Sequence, residues 1–157
     1  MIEDYDVVIR TPVGHVGVTT EAGAVTGVAL AMKQRCRAAG NNTARRAVEE
    51  LEAYFADPAH VFEMPVRVRA TPFQQRVLSL LRQIPAGTTR TYGDVARELG
   101  TSARAVGGAC RANPCPLFIP CHRVVASDGG LGGFGGRRGG EWLDIKRALL
   151  ERERGRA

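Results

Sequence analysis

Three residues in succession, Cys121, His122 and Arg123, place a thiol, an imidazole and a guanidinium between the apolar runs 117–119 and 124–125, and Pro120 fixes the backbone just ahead of the thiol. The chemistry this favours is that of an activated cysteine. Its proton would pass to His122 and on to a carboxylate that holds the imidazole in the accepting tautomer and stabilises it once charged, lowering the thiol pKa. Adjacent side chains diverge, so a bridging water is the easier path from Cys121 to His122. Asp144, Glu151 and Glu153 are the candidate carboxylates. Three other chemistries compete. A buried structural thiol needs no His-Arg behind it. A zinc site of Cys110, Cys115, Cys121 and His122 would have gaps of four and five residues between its cysteines, unlike the usual closely paired ligands. A protease-like nucleophile needs its His and Asn or Asp brought from afar, and the remote histidines, His15 and His60, sit in a strand-rich segment and lack neighbours at ligand spacing. No metal and no cofactor is expected.

The elements that must position this group follow from periodicity. The two apolar runs predict buried β-structure on both sides of the thiol. Residues 5–10, 15–20 and 25–32 alternate short β-branched runs with turn residues and predict a meander of three antiparallel strands. Ala44, Ala47, Val48, Leu51, Tyr54 and Phe55 then recur at helical spacing, predicting a helix over 44–55 with Thr43 as its cap and Asp57-Pro58 at its end. Residues 61–69, interrupted by Pro65, suit an edge strand or a linker. The class is therefore α+β, with residues 1–68 a small domain of structural role and 69–157 a second, mainly helical domain.

In that second domain Thr71 caps a helix opened by Pro72, with Phe73, Val77, Leu80, Leu81 and Ile84 on one face. Helices over 91–99 and 103–112, joined by a short turn at Gly100, form a helix-turn-helix. The second of them is unusually smooth. Gly107 and Gly108 cost about 1 kcal/mol each relative to alanine, and Ala103, Ala105, Ala109 and Ala112 surround them. Such a helix suits a close neighbour, either another part of the protein or a nucleic-acid groove that Arg104, a long side chain, could enter. Residues 127–140 include eight glycines but no Gly-Lys-Ser/Thr, so a loop over a pocket is expected rather than a phosphate loop. A final helix over 141–153 carries Trp142, Ile145, Leu149 and Leu150 on one face.

The net charge of +6 is uneven: −1 over residues 1–70, +5 over 71–125 and +2 over 126–157. The positive balance lies with the thiol motif and favours a polyanionic partner, nucleic acid first. No apolar run approaches the ~20 residues of a membrane span, and the acidic start is unlike a signal peptide. A cytoplasmic protein with reduced thiols is expected.

Taken together, 119–124 (Ile119, Pro120, Cys121, His122, Arg123, Val124), the run 103–108, Asn113-Pro114, the glycine-rich loop and 145–153 resemble the O6-alkylguanine-DNA alkyltransferases. The likeness is strong from Phe73 to Glu153, and Thr11-Pro12-Val13-Gly14 extends it weakly into the first domain. The resemblance implies a single-turnover repair protein that moves an alkyl group from O6 of guanine in duplex DNA onto Cys121, with O4-alkylthymine a second candidate substrate and the target nucleotide flipped out through the minor groove. It implies a monomer on DNA, with cooperative loading left open. It makes His122 the base acting through water and Glu153 the carboxylate behind it, with Glu151 as the alternative. Arg104 would fill the gap left in the base stack, Tyr92 would crowd the target phosphate and bond the flipped base, and Asn113 would tie the recognition helix to the active-site turn. Ala103, Ala105, Gly107, Gly108 and Arg111 would form the rest of the DNA face. Pro116, Val124, Phe134 and Gly135 would line the guanine pocket with Tyr92. Family members usually carry Tyr at the place of Phe134 and often Ser at that of Gly135, and the loop 134–146 is several residues longer here. The zinc ligands that some members hold in the first domain have no counterpart. Related lesion-binding proteins without activity have Trp at the Cys121 position, so the cysteine argues for transfer over binding alone. A transcription regulator is disfavoured by the few side chains such a helix offers for base readout.

Overall fold

A computed structural model describes residues 5–133 and 140–155. Strands β1 (Val7–Thr11), β2 (Gly14–Glu21) and β3 (Ala24–Met32) form an antiparallel sheet in chain order. Helix α1 (Asn42–Ala56) covers it through Ala44, Ala47, Leu51 and Tyr54, which are buried at helical spacing. Asn41 caps α1, accepting from the Ala44 N–H at 2.7 Å, so the helix starts before the Thr43 cap expected from the sequence. The amide of Asn41 fits the cap as well as the Thr hydroxyl would, and sequence alone does not choose between them. Residues 61–69 contribute one parallel bridge, Val25 to Val66, beside β3.

Helix α2 (Pro72–Leu81) begins with a full capping box between Thr71 and Gln74. It stops short of Ile84, which is buried in the following turn. Strand β4 (Arg90–Thr91) leads into α3 (Tyr92–Leu99); Gly100, at φ +68°, ends α3 in a left-handed cap, and Ser102 caps α4 (Ala103–Arg111). Two residues, Val124–Val125, form β5, parallel to β4. The chain ends in α5 (Glu141–Gly155).

One expected strand is missing. Residues 117–119 are buried, yet they make no ladder: Leu117 takes φ +77°, and the segment closes on itself through a Pro116–Ile119 bridge and an Ile119 N–H bond to Cys115 O at 2.9 Å. Pro114, Pro116 and Pro120 remove the donors that a central strand would need. Apolar content there reports burial rather than pairing.

The buried apolar residues form one cluster that crosses residue 68. Tyr54 of α1 packs on Phe62 at 5.5 Å between ring centroids, and Phe62 on Phe118 at 4.6 Å. The N–H of Val28, in β3, donates to Pro114 O at 2.9 Å. The first half of the chain is thus built onto the segment that carries the thiol.

Candidate active site

Pro120 has φ −80° and ψ +66°, and the Cys121 N–H reaches Ile119 O at 2.8 Å. These values define an inverse γ-turn. It lifts the chain out of the buried run and starts a single 3-10 turn, Cys121–Arg123, that β5 continues. Cys121 is 5% exposed, so a reacting group must be delivered to it from one side. Asn113 braces the same turn: its Nδ2 donates to Ile119 O at 3.0 Å, while its Oδ1 accepts from the Cys115 N–H at 3.0 Å. The segment leaving α4 and the segment entering the thiol turn are therefore held by one side chain.

Of the three candidate carboxylates, Glu153 is the one that reaches His122; Asp144 and Glu151 are exposed. His122 Nε2–H donates to Glu153 Oε2 at 2.7 Å. Arg123 grips the same carboxylate through Nε to Oε1 at 2.9 Å and Nη2 to Oε2 at 3.0 Å, and its Nη1 donates to Ile84 O at 2.7 Å. Burial opposes the charge on Glu153, but the bonds and charges of His122 and Arg123 overcome it and hold the carboxyl down at about 2. Burial, opposed by Glu153, holds His122 below its ordinary value. The imidazole is accordingly neutral, with its proton on Nε2 and the lone pair on Nδ1. Nδ1 is buried and makes no hydrogen bond to a described residue. Burial raises the Cys121 thiol, while a hydrogen bond from Asn113 and the charge of Lys146 pull it back.

Lys146 is fully buried, and its ammonium spends all three protons on the carbonyls of Val124 (2.8 Å), Leu131 (2.5 Å) and Gly133 (2.9 Å). It pins the start of the glycine-rich segment to β5, and burial brings it down to about 8. Gly132, at φ +75°, lies flat on Tyr92: a Cβ there would stand 2.8 Å from the ring. Tyr92 itself opens α3 directly after β4, whose partner is β5. Pro116 and Val124 are buried beside the thiol turn. Phe134 and Gly135 lie outside the described residues.

Helix α4 turns Val106, Ala109 and Cys110 inward, leaving Ala103, Arg104, Gly108 and Arg111 exposed with Ala105 and Gly107 half-buried. Among the described residues, a Cβ at Gly107 or Gly108 would meet nothing within 4 Å. Close packing inside the protein is therefore not what the two glycines serve.

Sequence reasoning passed over three residues: Tyr54, whose hydroxyl donates to Glu153 Oε2 at 2.5 Å, Arg123 as the partner of Glu153, and Lys146. A lysine alone in the apolar stripe of a helix was the available signal for the last. His15 and His60 are satisfied by Gln34 O and Glu50, each at 2.8 Å. Among the described residues no cluster of three or more His, Cys, Asp or Glu could hold a metal, and all four cysteines are free. No described helix is long and apolar enough to cross a membrane.

Comparison with known proteins gives the family. Residues 72–155 match the family described as 6-O-methylguanine DNA methyltransferase, DNA binding domain. A constitutive methylated-DNA–protein-cysteine methyltransferase of Bacillus subtilis is 33% identical, the alignment covering 96% of both chains. Its counterpart in Mycobacterium bovis is 46% identical over 71% of this chain, which spans 66% of that relative, just under two thirds. The crystal structure of the Mycobacterium tuberculosis O6-methylguanine methyltransferase has a TM-score of 0.81 at 36% identity, covering 96% of this chain and 92% of that one. A Mycobacterium tuberculosis structure in complex with DNA scores 0.78 at 34% identity, covering 96% and 93%. With the family model matched over more than half of the chain and the α+β fold shared along the length of such relatives, the chain belongs to the methylated-DNA–protein-cysteine methyltransferases.

Proposed function

We propose that this protein repairs DNA by taking the alkyl group from O6 of an alkylguanine in duplex DNA onto Cys121. The observation that carries the reading is the buried line from Glu153 to His122 next to Cys121: an ionised carboxylate holds Nε2–H and leaves Nδ1 able to accept. A water between Nδ1 and the thiol takes its proton to His122. The Cys121 sulfur then attacks the alkyl carbon, the carbon–O6 bond breaks, and the guanine leaves with the electron pair, regaining its 6-oxo form by taking one proton at N1 from water. The thioether has no route back, so each molecule turns over once. A thiol only 5% exposed cannot reach a base in a stacked duplex, which argues for flipping of the target nucleotide. Arg104 would fill its place, Tyr92 would contact it, and Asn113, Pro116, Val124 and the segment with Phe134 and Gly135 would complete the pocket. We assign residues 69–157 to DNA binding and transfer and 1–68 to their support, in a monomer working among reduced thiols. The relative solved in complex with DNA supports DNA as the partner. Incubation with one equivalent of O6-methylguanine duplex should add one methylene's mass to the intact protein, located at Cys121; an unchanged mass would refute the reading.

The exposed face of α4 gives a separate test. Gly108→Leu introduces a side chain where the protein has open space. It should keep or raise thermal stability, since leucine exceeds glycine in helix propensity by somewhat under about 1 kcal/mol. It should nevertheless weaken DNA binding in a salt titration at least about tenfold, because the backbone could no longer approach the sugar-phosphate wall. Undiminished affinity would remove α4 from the interface.

A further inference from the structure

The carboxylate of the relay is shared by both halves of the chain. Glu153 Oε2 accepts three hydrogen bonds: from His122 Nε2 at 2.7 Å, Arg123 Nη2 at 3.0 Å and the Tyr54 hydroxyl at 2.5 Å. Tyr54 lies on α1, 99 residues away, and is 1% exposed. Its ring is wedged among Phe55 and Phe62, so the hydroxyl has a fixed aim. We propose that Tyr54 is a positioning residue for alkyl transfer: its hydroxyl keeps Glu153 in line with His122 and takes up part of the carboxylate's charge, so that the N-terminal half sets how readily the imidazole holds a proton. The inference rests on the Cys121–His122–Glu153 relay proposed above.

The physical reason is competition for one oxygen. Each donor to Oε2 withdraws charge from the others, and in a buried site that charge is poorly screened. His122 must be neutral to accept the thiol proton. The charged groups facing it are Glu153 and Lys146 from α5 and Arg123 from its own turn, while Arg152 of α5 acts on Tyr54. Burial and the Glu153 charge push the Tyr54 hydroxyl well above its ordinary value, so it stays protonated and donating through the neutral range. Without it, more of the Glu153 charge is available to stabilise the imidazolium, and His122 stays protonated to higher pH.

The test is the rate of Cys121 alkylation by iodoacetamide against pH, without DNA, read at the Cys121 peptide by mass spectrometry. Tyr54→Phe should move the acid limb upward by about 0.5 to 1 pH unit. Tyrosine replaced throughout by 3-fluorotyrosine, a stronger donor of the same shape, should move it downward. Val48→Ala, a packing change on the same helix, should lower the melting temperature and leave the limb in place. The fluorinated protein decides the matter even if Tyr54→Phe fails to fold: a downward shift supports the assignment, and an unmoved or upward limb overturns it. Failure of the wild-type protein to take methyl from DNA would instead overturn the repair function, so the two results are separable.

Discussion

Cys121→Ala is expected to abolish methyl transfer from O6-methylguanine DNA outright while leaving duplex binding intact. The transfer consumes the thiol as the acceptor, so no residual rate survives its removal, unlike the loss of a group that only assists. Two of the remaining cysteines cannot substitute: burial pushes Cys110 and Cys115 up to about 12, which keeps both protonated at neutral pH. Cys36 is exposed and free, and would react with small alkylating agents in solution. Its sulfur lies 4.0 Å from His15 Nε2, but that ring is backed by the Gln34 carbonyl rather than a carboxylate and stands on the strand-rich half of the chain, so alkylation there should not depend on DNA. The check is intact mass after exposure to the methylated duplex, with a gel-shift assay in parallel. Methyl gained by the variant from DNA would show that another residue is the acceptor, and lost binding would show that Cys121 shapes the interface.

What was legible in the sequence divides along a physical line. Local signals carried the helices and caps: Thr71-Pro72, Gly100 and Ser102 each act within one turn, and each stands where its chemistry requires. The thiol motif was legible because Cys121, His122 and Arg123 are consecutive. From the residues alone Glu153 could only be offered beside Asp144 and Glu151; the family resemblance singled it out, and the fold gives the physical reason, since the three share a helix and differ in the direction they face. Tyr54 could not be found at all. Its helical spacing assigns it to the core, which is correct, and nothing local shows that its hydroxyl meets a carboxylate from the far end of the chain. The run 117–119 misled because apolar content announces burial, and burial without donors does not make a strand. The glycines of α4 went the other way: the sequence left packing and DNA as alternatives, and the open space around both removes the first.

Glu153→Gln should have the second-largest effect, and its pH dependence identifies the cause. The carboxylate neutralises the buried Arg123 and orients His122, so an amide leaves a guanidinium without its countercharge, at a cost of about 3–5 kcal/mol at pH 7. Its sign with pH is fixed. The folded pKa of about 2 lies below the ordinary value of 4.5, so the stabilisation is complete above 4.5 and is lost as the pH falls toward 2. That interval amounts to stability on the order of 3 kcal/mol. His122, held below its ordinary value by burial, contributes with the same sign from about pH 6.5 downward in both proteins. Denaturant unfolding across this range should therefore show a gap between wild type and variant that is constant near neutrality and closes below pH 4.5. A gap that stays constant into acid would mean that the amide disturbs packing rather than charge. The same variant should transfer methyl at least about a hundredfold more slowly. The amide can present either oxygen or nitrogen to Nε2, so it no longer fixes the proton there and leaves Nδ1 open to accept.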